Sequence, residues 1–219
     1  MKTQRFDAIL WDLDGTLIDS EPLHRRAIHE TLEDHGVESG RLEPRDFVGR
    51  GEKDFWAFAR EKFGLALEVH DLVSQKDQRY EEIVRLELRT MRGAVGALQR
   101  FRASGLPMAI ASGSSPRAIA AAVSAVGLGH YFQHLVSSLD PEVPRSKPHP
   151  DVFLVAAARL GVDARRCLVI EDAEWGVRAA VTAQIPVVAI PNDWTRHHDL
   201  SGATWQLKSL DDLHLDRLH

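Results

Sequence analysis

Asp12 and Asp14 stand two residues apart at the end of an apolar run, in "ILWDLDGTLIDSEPLH" (9–24), with Gly15 and Thr16 directly after. A turn needs one aspartate and one glycine. A second carboxylate so close adds repulsion, and chemistry gives it a use. One carboxylate can attack phosphorus while its neighbour gives and takes the proton of the leaving oxygen. Further along, Ser112 in "IASGSS" offers a hydroxyl, Lys147 in "RSKPHP" a cation, and Glu171 and Asp172 in "VIEDAEWG" two more acids. Two unit charges ~4 Å apart cost about 4 kcal/mol at an effective dielectric of about 20. Lys147 supplies one compensating charge, so four gathered acids call for a divalent cation. Oxygen ligands with waters suit Mg²⁺, and the lack of cysteine and paired histidine ligands argues against zinc. Lys147 and the cation would stabilise charge on the transferring oxygens. The Ser112 hydroxyl and the N–H groups around "DGT" and "SGSS", including those of Gly113 and Ser114, would hold the remaining oxygens.

Each residue has an ordinary explanation alone: a turn, a helix cap, a solvated lysine, a charge pair at a helix start. Their shared placement carries the argument. "FDAILW" (6–11), "PMAIAS" (107–112), "HLVSS" (134–138), "CLVIE" (167–171) and "PVVAI" (186–190) read as buried strands, near-continuous in apolar character as in a parallel sheet covered on both faces. Helices fit between them. "SPRAIAAAVSAVG" has Ser115 as N-cap, Pro116 at the first helical position and Gly127 past the end. "HPDVFLVAAARLG" stops at Gly161, and "EWGVRAAVTA" follows the fourth strand. The alternation predicts a doubly wound α/β sheet. In such sheets ligands bind beyond the carboxyl ends of the strands, where all six polar groups fall. "PNDWTRHH" (191–198) reaches the same rim, as a loop around the site or as an exit turn.

Residues 19 to about 90 break the alternation. "SEPLHRRAIHETLEDHG", with Ser20 as cap and Gly36 as stop, then "KDFWAFAREKFG" and a stretch from Val69 to Met91, read as helices only. The expected division is an α/β core of residues 1–18 and 93–219 with an inserted all-helical cap at 19–92, hinged at Ile18–Asp19 and Arg92–Gly93. Trp11 and Trp56 are expected in packing roles, and His24, on the entry helix, could face a substrate.

The chain has 219 residues, 44% hydrophobic and 27% charged, with a formal net charge of -5. That is ordinary for a globular protein. No basic tract suggests nucleic acid, and no apolar stretch approaches a membrane span or a signal-peptide core. The cytoplasm is therefore the expected location. Cys167 is the single cysteine, so no internal disulfide forms.

In order along the chain, "DLDGT" (12–16), Ser112, Lys147 in "KPHPDVF" and "EDAEWGVRAA" (171–180) resemble the four motifs of the haloacid dehalogenase-like superfamily. "DSEPLH" (19–24) and the helical insertion are similar to its beta-phosphoglucomutase-like and small-phosphatase subgroup. The resemblance implies that Asp12 is nucleophile and metal ligand, and that Asp14 is acid/base with its backbone carbonyl on Mg²⁺. It implies that Thr16 supports the loop, and that Ser112 and Lys147 bind the phosphoryl group. Asp172 would hold the metal, with Glu171 a direct or indirect ligand. The chain departs from the family pattern at Ala173, where Ser is usual, and at Gln184, where Gly is usual. In the cap stretch "FVGRGEKDF" (47–55), Val48 and Glu52 replace the two cations of the mutases, with Arg50 and Lys53 as the candidate substitutes for gripping substrate. The expectation is a Mg²⁺-dependent phosphatase acting on a small phosphorylated metabolite, as a monomer or weak homodimer. A phosphomutase and a non-catalytic binding protein are the alternatives.

Overall fold

The apolar runs become strands whose side chains alternate between two faces. The computed structural model describes residues 6–38, 41 and 52–218. Its sheet comprises β1 (Ala8–Trp11), β2 (Met108–Ser112), β3 (His134–Ser137), β4 (Cys167–Glu171), β5 (Val187–Ala189) and β6 (Trp205–Gln206). Their order is β3-β2-β1-β4-β5-β6, and every pairing is parallel. Ile9, Trp11, Met108, Ile110, Leu168 and Ile170 enter one apolar cluster, and Ala8, Leu10, Ala109, Ala111, Cys167 and Val169 the other. That alternation under full burial is what a sheet covered on both faces requires.

The covering helices are α4 (Ala94–Ala103), α5 (Pro116–Ala125), α6 (Asp151–Leu160) and α7 (Glu174–Thr182). Ser115 caps α5 as expected, its hydroxyl accepting from the Ala118 N–H at 3.0 Å. At the end of α7, Gln184 takes φ +59° while its N–H reaches the Val181 carbonyl and the Ile185 N–H reaches that of Ala180. This is the left-handed helix stop that favours glycine, and it explains in backbone terms why glycine is usual where this chain has Gln184. The strands agree with the sequence to within two residues at each end. α4 and the two-residue β6 were not foreseen.

Between β1 and α4 lie α1 (Glu21–Asp34), α2 (Glu52–Phe63) and α3 (Val69–Glu87), with no strand among the described residues there. Leu32, Phe55, Trp56, Ala59, Leu72 and Val73 form a separate apolar cluster within these helices. Leu23, Ala27, Tyr80, Ile83 and Val84, nearer the sheet, join the cluster that contains Trp11. Trp11 and Trp56 are fully buried, Trp11 edge-on to Phe101. The two crossings into this helical segment run side by side: the Asp19 N–H donates to the Arg89 carbonyl at 3.0 Å and the Met91 N–H to that of Leu17 at 2.9 Å. No helix among the described residues is long and apolar enough to cross a membrane.

Candidate active site

The chain leaves β1 for β2 and β3 on one side and β4 to β6 on the other, so the strand order reverses at β1 and β4. A crevice opens beyond the carboxyl ends of strands at such a point. Trp11 is in register with Ile170, and the Asp12 N–H donates to the Ile170 carbonyl at 2.9 Å. The residues that follow are Asp12 on one strand and Glu171 with Asp172 on the other. Pairing register alone therefore brings the three acids together. Each offers an oxygen within 4.8 Å of the others, and all three residues are buried.

Lys147, reaching in from the loop before α6, lies 2.6 Å from Asp12 Oδ1 and 2.7 Å from Glu171 Oε1. Burial works against its ammonium, but the two carboxylates keep it charged, with its pKa above the ordinary value. Glu171 Oε2 accepts from the N–H groups of Asp172 and Ala173, each at 2.9 Å. Asp172 accepts from the Thr16 hydroxyl at 2.9 Å and from the Asn192 amide at 2.8 Å. Burial, opposed by Lys147 and reinforced by Glu171, Asp172 and Asp14, pushes the Asp12 carboxyl well up. Burial and then Glu171 do the same to Asp172. Three buried carboxylates against one ammonium, with oxygens this close, fit a hard divalent cation that takes oxygen ligands.

Asp14 turns to a different set of partners. Its carboxylate accepts from Ser20 at 2.6 Å, Ser112 at 3.0 Å and Ser114 at 2.8 Å, and His24 Nε2 lies 2.9 Å away. Burial alone would raise its pKa. The charge of His24 and the hydrogen bonds from His24, Ser20 and Ser114 outweigh that and hold it well below the usual carboxylate range. Ser112 and Ser114 thus face Asp14, and His24, stacked on Tyr80 with ring centroids 4.0 Å apart, does so from α1. The Gly113 carbonyl accepts from the Glu52 N–H at 3.3 Å. Lys53 is exposed on the first turn of α2, and Arg50 lies outside the described residues. Among the described residues, the helical segment brings Lys76 to this side, 1% exposed and 2.7 Å from Glu52 Oε1.

Two glycines and one asparagine complete the site, Gly176 among them without a signal in the sequence. Gly15 has φ +83°, and a Cβ on it would stand 2.6 Å from Asp172 Oδ2. A Cβ on Gly176 would meet Glu171 Oε1 at 1.6 Å, so α7 needs a glycine where it passes that carboxylate. Asn192, in the loop after β5, accepts from the N–H groups of Trp194 and Thr195 and donates to the Gly15 carbonyl and Asp172. The signal for Asn192 was the position of "PNDWTRHH" on the rim. Between a loop around the site and an exit turn, the structure supports the first.

Comparison with known proteins agrees with this geometry. The family model for hydrolases of the haloacid dehalogenase-like type matches residues 6–184. The protein CbbY of Rhodobacter capsulatus is 33% identical over 213 residues, 93% of either chain. The fructose-1-phosphate phosphatase YqaB of Escherichia coli is 29% identical over 190 residues, 85% of this chain and 97% of its own. A mutant CbbY from Rhodobacter sphaeroides, solved in complex with xylulose-(1,5)bisphosphate, superposes with a TM-score of 0.84 at 27% identity, over 95% of this chain and 96% of that one.

Proposed function

The chain belongs to the haloacid dehalogenase-like hydrolases, and on that premise we propose that it is a magnesium-dependent phosphatase acting on a small phosphorylated metabolite through an aspartyl-phosphate on Asp12. The observation that carries this reading is the position of Asp12, held 2.6 Å from Lys147 and within 4.8 Å of Glu171 and Asp172. Relatives named as phosphatases of phosphorylated metabolites support it.

In this reading an Asp12 oxygen attacks phosphorus, the bond to the leaving oxygen breaks, and the phosphoryl group passes to Asp12. Lys147 lies against Asp12 and offsets negative charge gathering on the transferring oxygens. Asp12, Glu171 and Asp172, with the Asp14 carbonyl, would hold Mg²⁺, which when bound supplies further charge compensation to those oxygens. Asp14, which its present donors hold ionised, must first take up a proton, then delivers it to the leaving oxygen and later takes one from the water that hydrolyses the aspartyl-phosphate. To do so it must exchange some of its present donors, Ser20, Ser112, Ser114 and His24, for the substrate. Ser112 and the N–H groups of Gly113 and Ser114 are then free to hold phosphoryl oxygens. Residues 19–92 serve as a cap that shuts bulk water out, moving at Ile18–Asp19 and Arg92–Gly93.

The test is hydrolysis of p-nitrophenyl phosphate with and without Mg²⁺, by wild type and Asp12→Asn. Turnover should require the cation and fall by at least ~1,000-fold in the variant, with far-UV circular dichroism and unfolding temperature retained. A near-normal rate in folded Asp12→Asn would remove Asp12 as nucleophile.

A further inference from the structure

The loop after β5 holds the start of α7 from outside. Asn192 donates to Asp172 Oδ2 at 2.8 Å. Further along the same loop His198 turns back, and its Nδ1 accepts the Glu174 N–H at 3.3 Å. The Asp199 N–H adds a contact to Glu174 Oε2 at 3.4 Å. Because the donor is a backbone N–H, the His198 ring carries its proton on Nε2 and presents a lone pair at Nδ1. Burial first, and then His197, hold the imidazole below its ordinary pKa against the opposing pull of Glu174 and Glu171. The ring is therefore neutral at about pH 7 and keeps that lone pair.

α7 has a use for this acceptor. A helix opens with N–H groups that have no partner inside it. α5 meets that need with its own residue: Ser115, in extended backbone at φ -65° and ψ 157°, accepts from the Ala118 N–H. Ala173 holds the same place before α7, also extended, at φ -115° and ψ 150°, and its side chain makes no cap hydrogen bond. Glu171 Oε2 takes the N–H groups of Asp172 and Ala173, and His198 takes that of Glu174.

The step capped in this way is the one that carries the acids. Asp172 and Ala173 link β4 to α7, and Asp12, Glu171 and Asp172 bring their oxygens within 4.8 Å of one another. Their mutual repulsion works to open that step whenever no cation offsets it. A hydrogen bond to the N–H of Glu174 resists the opening from a group that is not itself an acid. Groups that orient metal ligands act on affinity without touching the metal.

We propose that His198 is a positioning residue for the cation site: it supplies, from the loop after β5, the helix cap that Ala173 does not, and so holds Asp172 where a divalent cation can use it. The proposal rests on the magnesium-dependent phosphatase reading and adds to it a residue that works through the backbone of α7.

The experiment is isothermal titration calorimetry of MgCl₂ into the full chain, with hydrolysis of p-nitrophenyl phosphate followed against MgCl₂ in parallel. His198→Ala should raise the Mg²⁺ dissociation constant by about fivefold, the loss of one helix cap expressed as affinity. Its rate should return toward that of wild type at saturating MgCl₂. His198→Asn, whose Oδ1 can take the place of Nδ1, should stay within about twofold of the wild-type constant. Ala173→Ser added to His198→Ala should recover it as well, because α7 then has a cap of its own. Recovery by either replacement supports the inference. A cap with a structural role alone would lower the unfolding temperature of the cation-free protein and leave the Mg²⁺ constant unchanged. That result, or a raised constant that neither replacement restores, would overturn the inference and leave the phosphatase reading standing. A wild type that binds no Mg²⁺ would overturn both.

Discussion

Magnesium should raise the unfolding temperature, and more so in mild alkali than in mild acid. Asp12 and Asp172 have carboxyls pushed well above their ordinary range by burial and by neighbouring acids. Without a cation, the native state therefore binds more protons than the unfolded chain from about pH 4 upward, and stability falls as pH rises through that window. Asp14 has the opposite sign. Its depressed pKa contributes stability that is complete above about pH 4 and is lost only in stronger acid. A bound cation replaces the protons on Asp12 and Asp172, so its contribution grows with pH. At the 4.8 Å limit that contains the three ligand oxygens, a pair of unit charges repels by about 3.5 kcal/mol at an effective dielectric of about 20. Lys147 compensates about one charge, leaving about one such pair for the cation to relieve. That is close to the ~2.7 kcal/mol that a ligand at a hundred times its Kd contributes. For a chain of 219 residues, with about 2–4 °C per kcal/mol, the shift is about 5–14 °C. Differential scanning calorimetry with and without millimolar MgCl₂ should show this at about pH 8 and less than half of it at about pH 5. Asp172→Asn should abolish most of the shift while leaving the cation-free protein no less stable. An equal shift at both pH values, or an undiminished shift in the variant, would refute the argument.

Two further substitutions probe the backbone around the site. Gly176→Ala would place a Cβ 1.6 Å from Glu171 Oε1, forcing that carboxylate off Lys147 and off the N–H groups of Asp172 and Ala173. The expected loss is about 3 kcal/mol or more, at roughly 1.5–3 per charged hydrogen bond, with a smaller response to MgCl₂. Urea unfolding that matches wild type would show that α7 tolerates the methyl. Gln184→Gly relieves the φ of +59° and should stabilise by about 0.5–1 kcal/mol, the left-handed penalty less the added entropy of glycine. An unfolding temperature that does not rise by at least about 1 °C would count against that account.

Asp12, Glu171 and Asp172 were legible because they close apolar runs, and parallel sheets gather the ends of such runs at one edge; Lys147 was legible from its place in the loop between the third strand and the helix after it. Thr16 was legible as a support, although its partner Asp172, 156 positions away, was not. Asn192 was legible only as part of a stretch on the rim, and Gly176 not at all as a site residue. Asn192 depends on a loop folding back over β1, and Gly176 matters only because a side chain five residues earlier passes beneath it. Lys76 looked like any charge on the surface of a long helix. Only the approach of α2 shows that it is buried against Glu52. In α4, no side chain caps the N-terminus at Gly93, so the usual start signal was missing. β6, at two residues, is too short for a period to show.

The adjacent crossings at Leu17–Asp19 and Arg89–Met91 lay the two ends of the helical segment side by side. Seen from the sheet, the chain departs and returns at one junction. A different excursion spliced at that junction would leave the pairing of β1 with β2 and β4 untouched, and with it the placement of Asp12, Glu171 and Asp172. The helices on one side of the junction can then change while the three acids on the other keep their places.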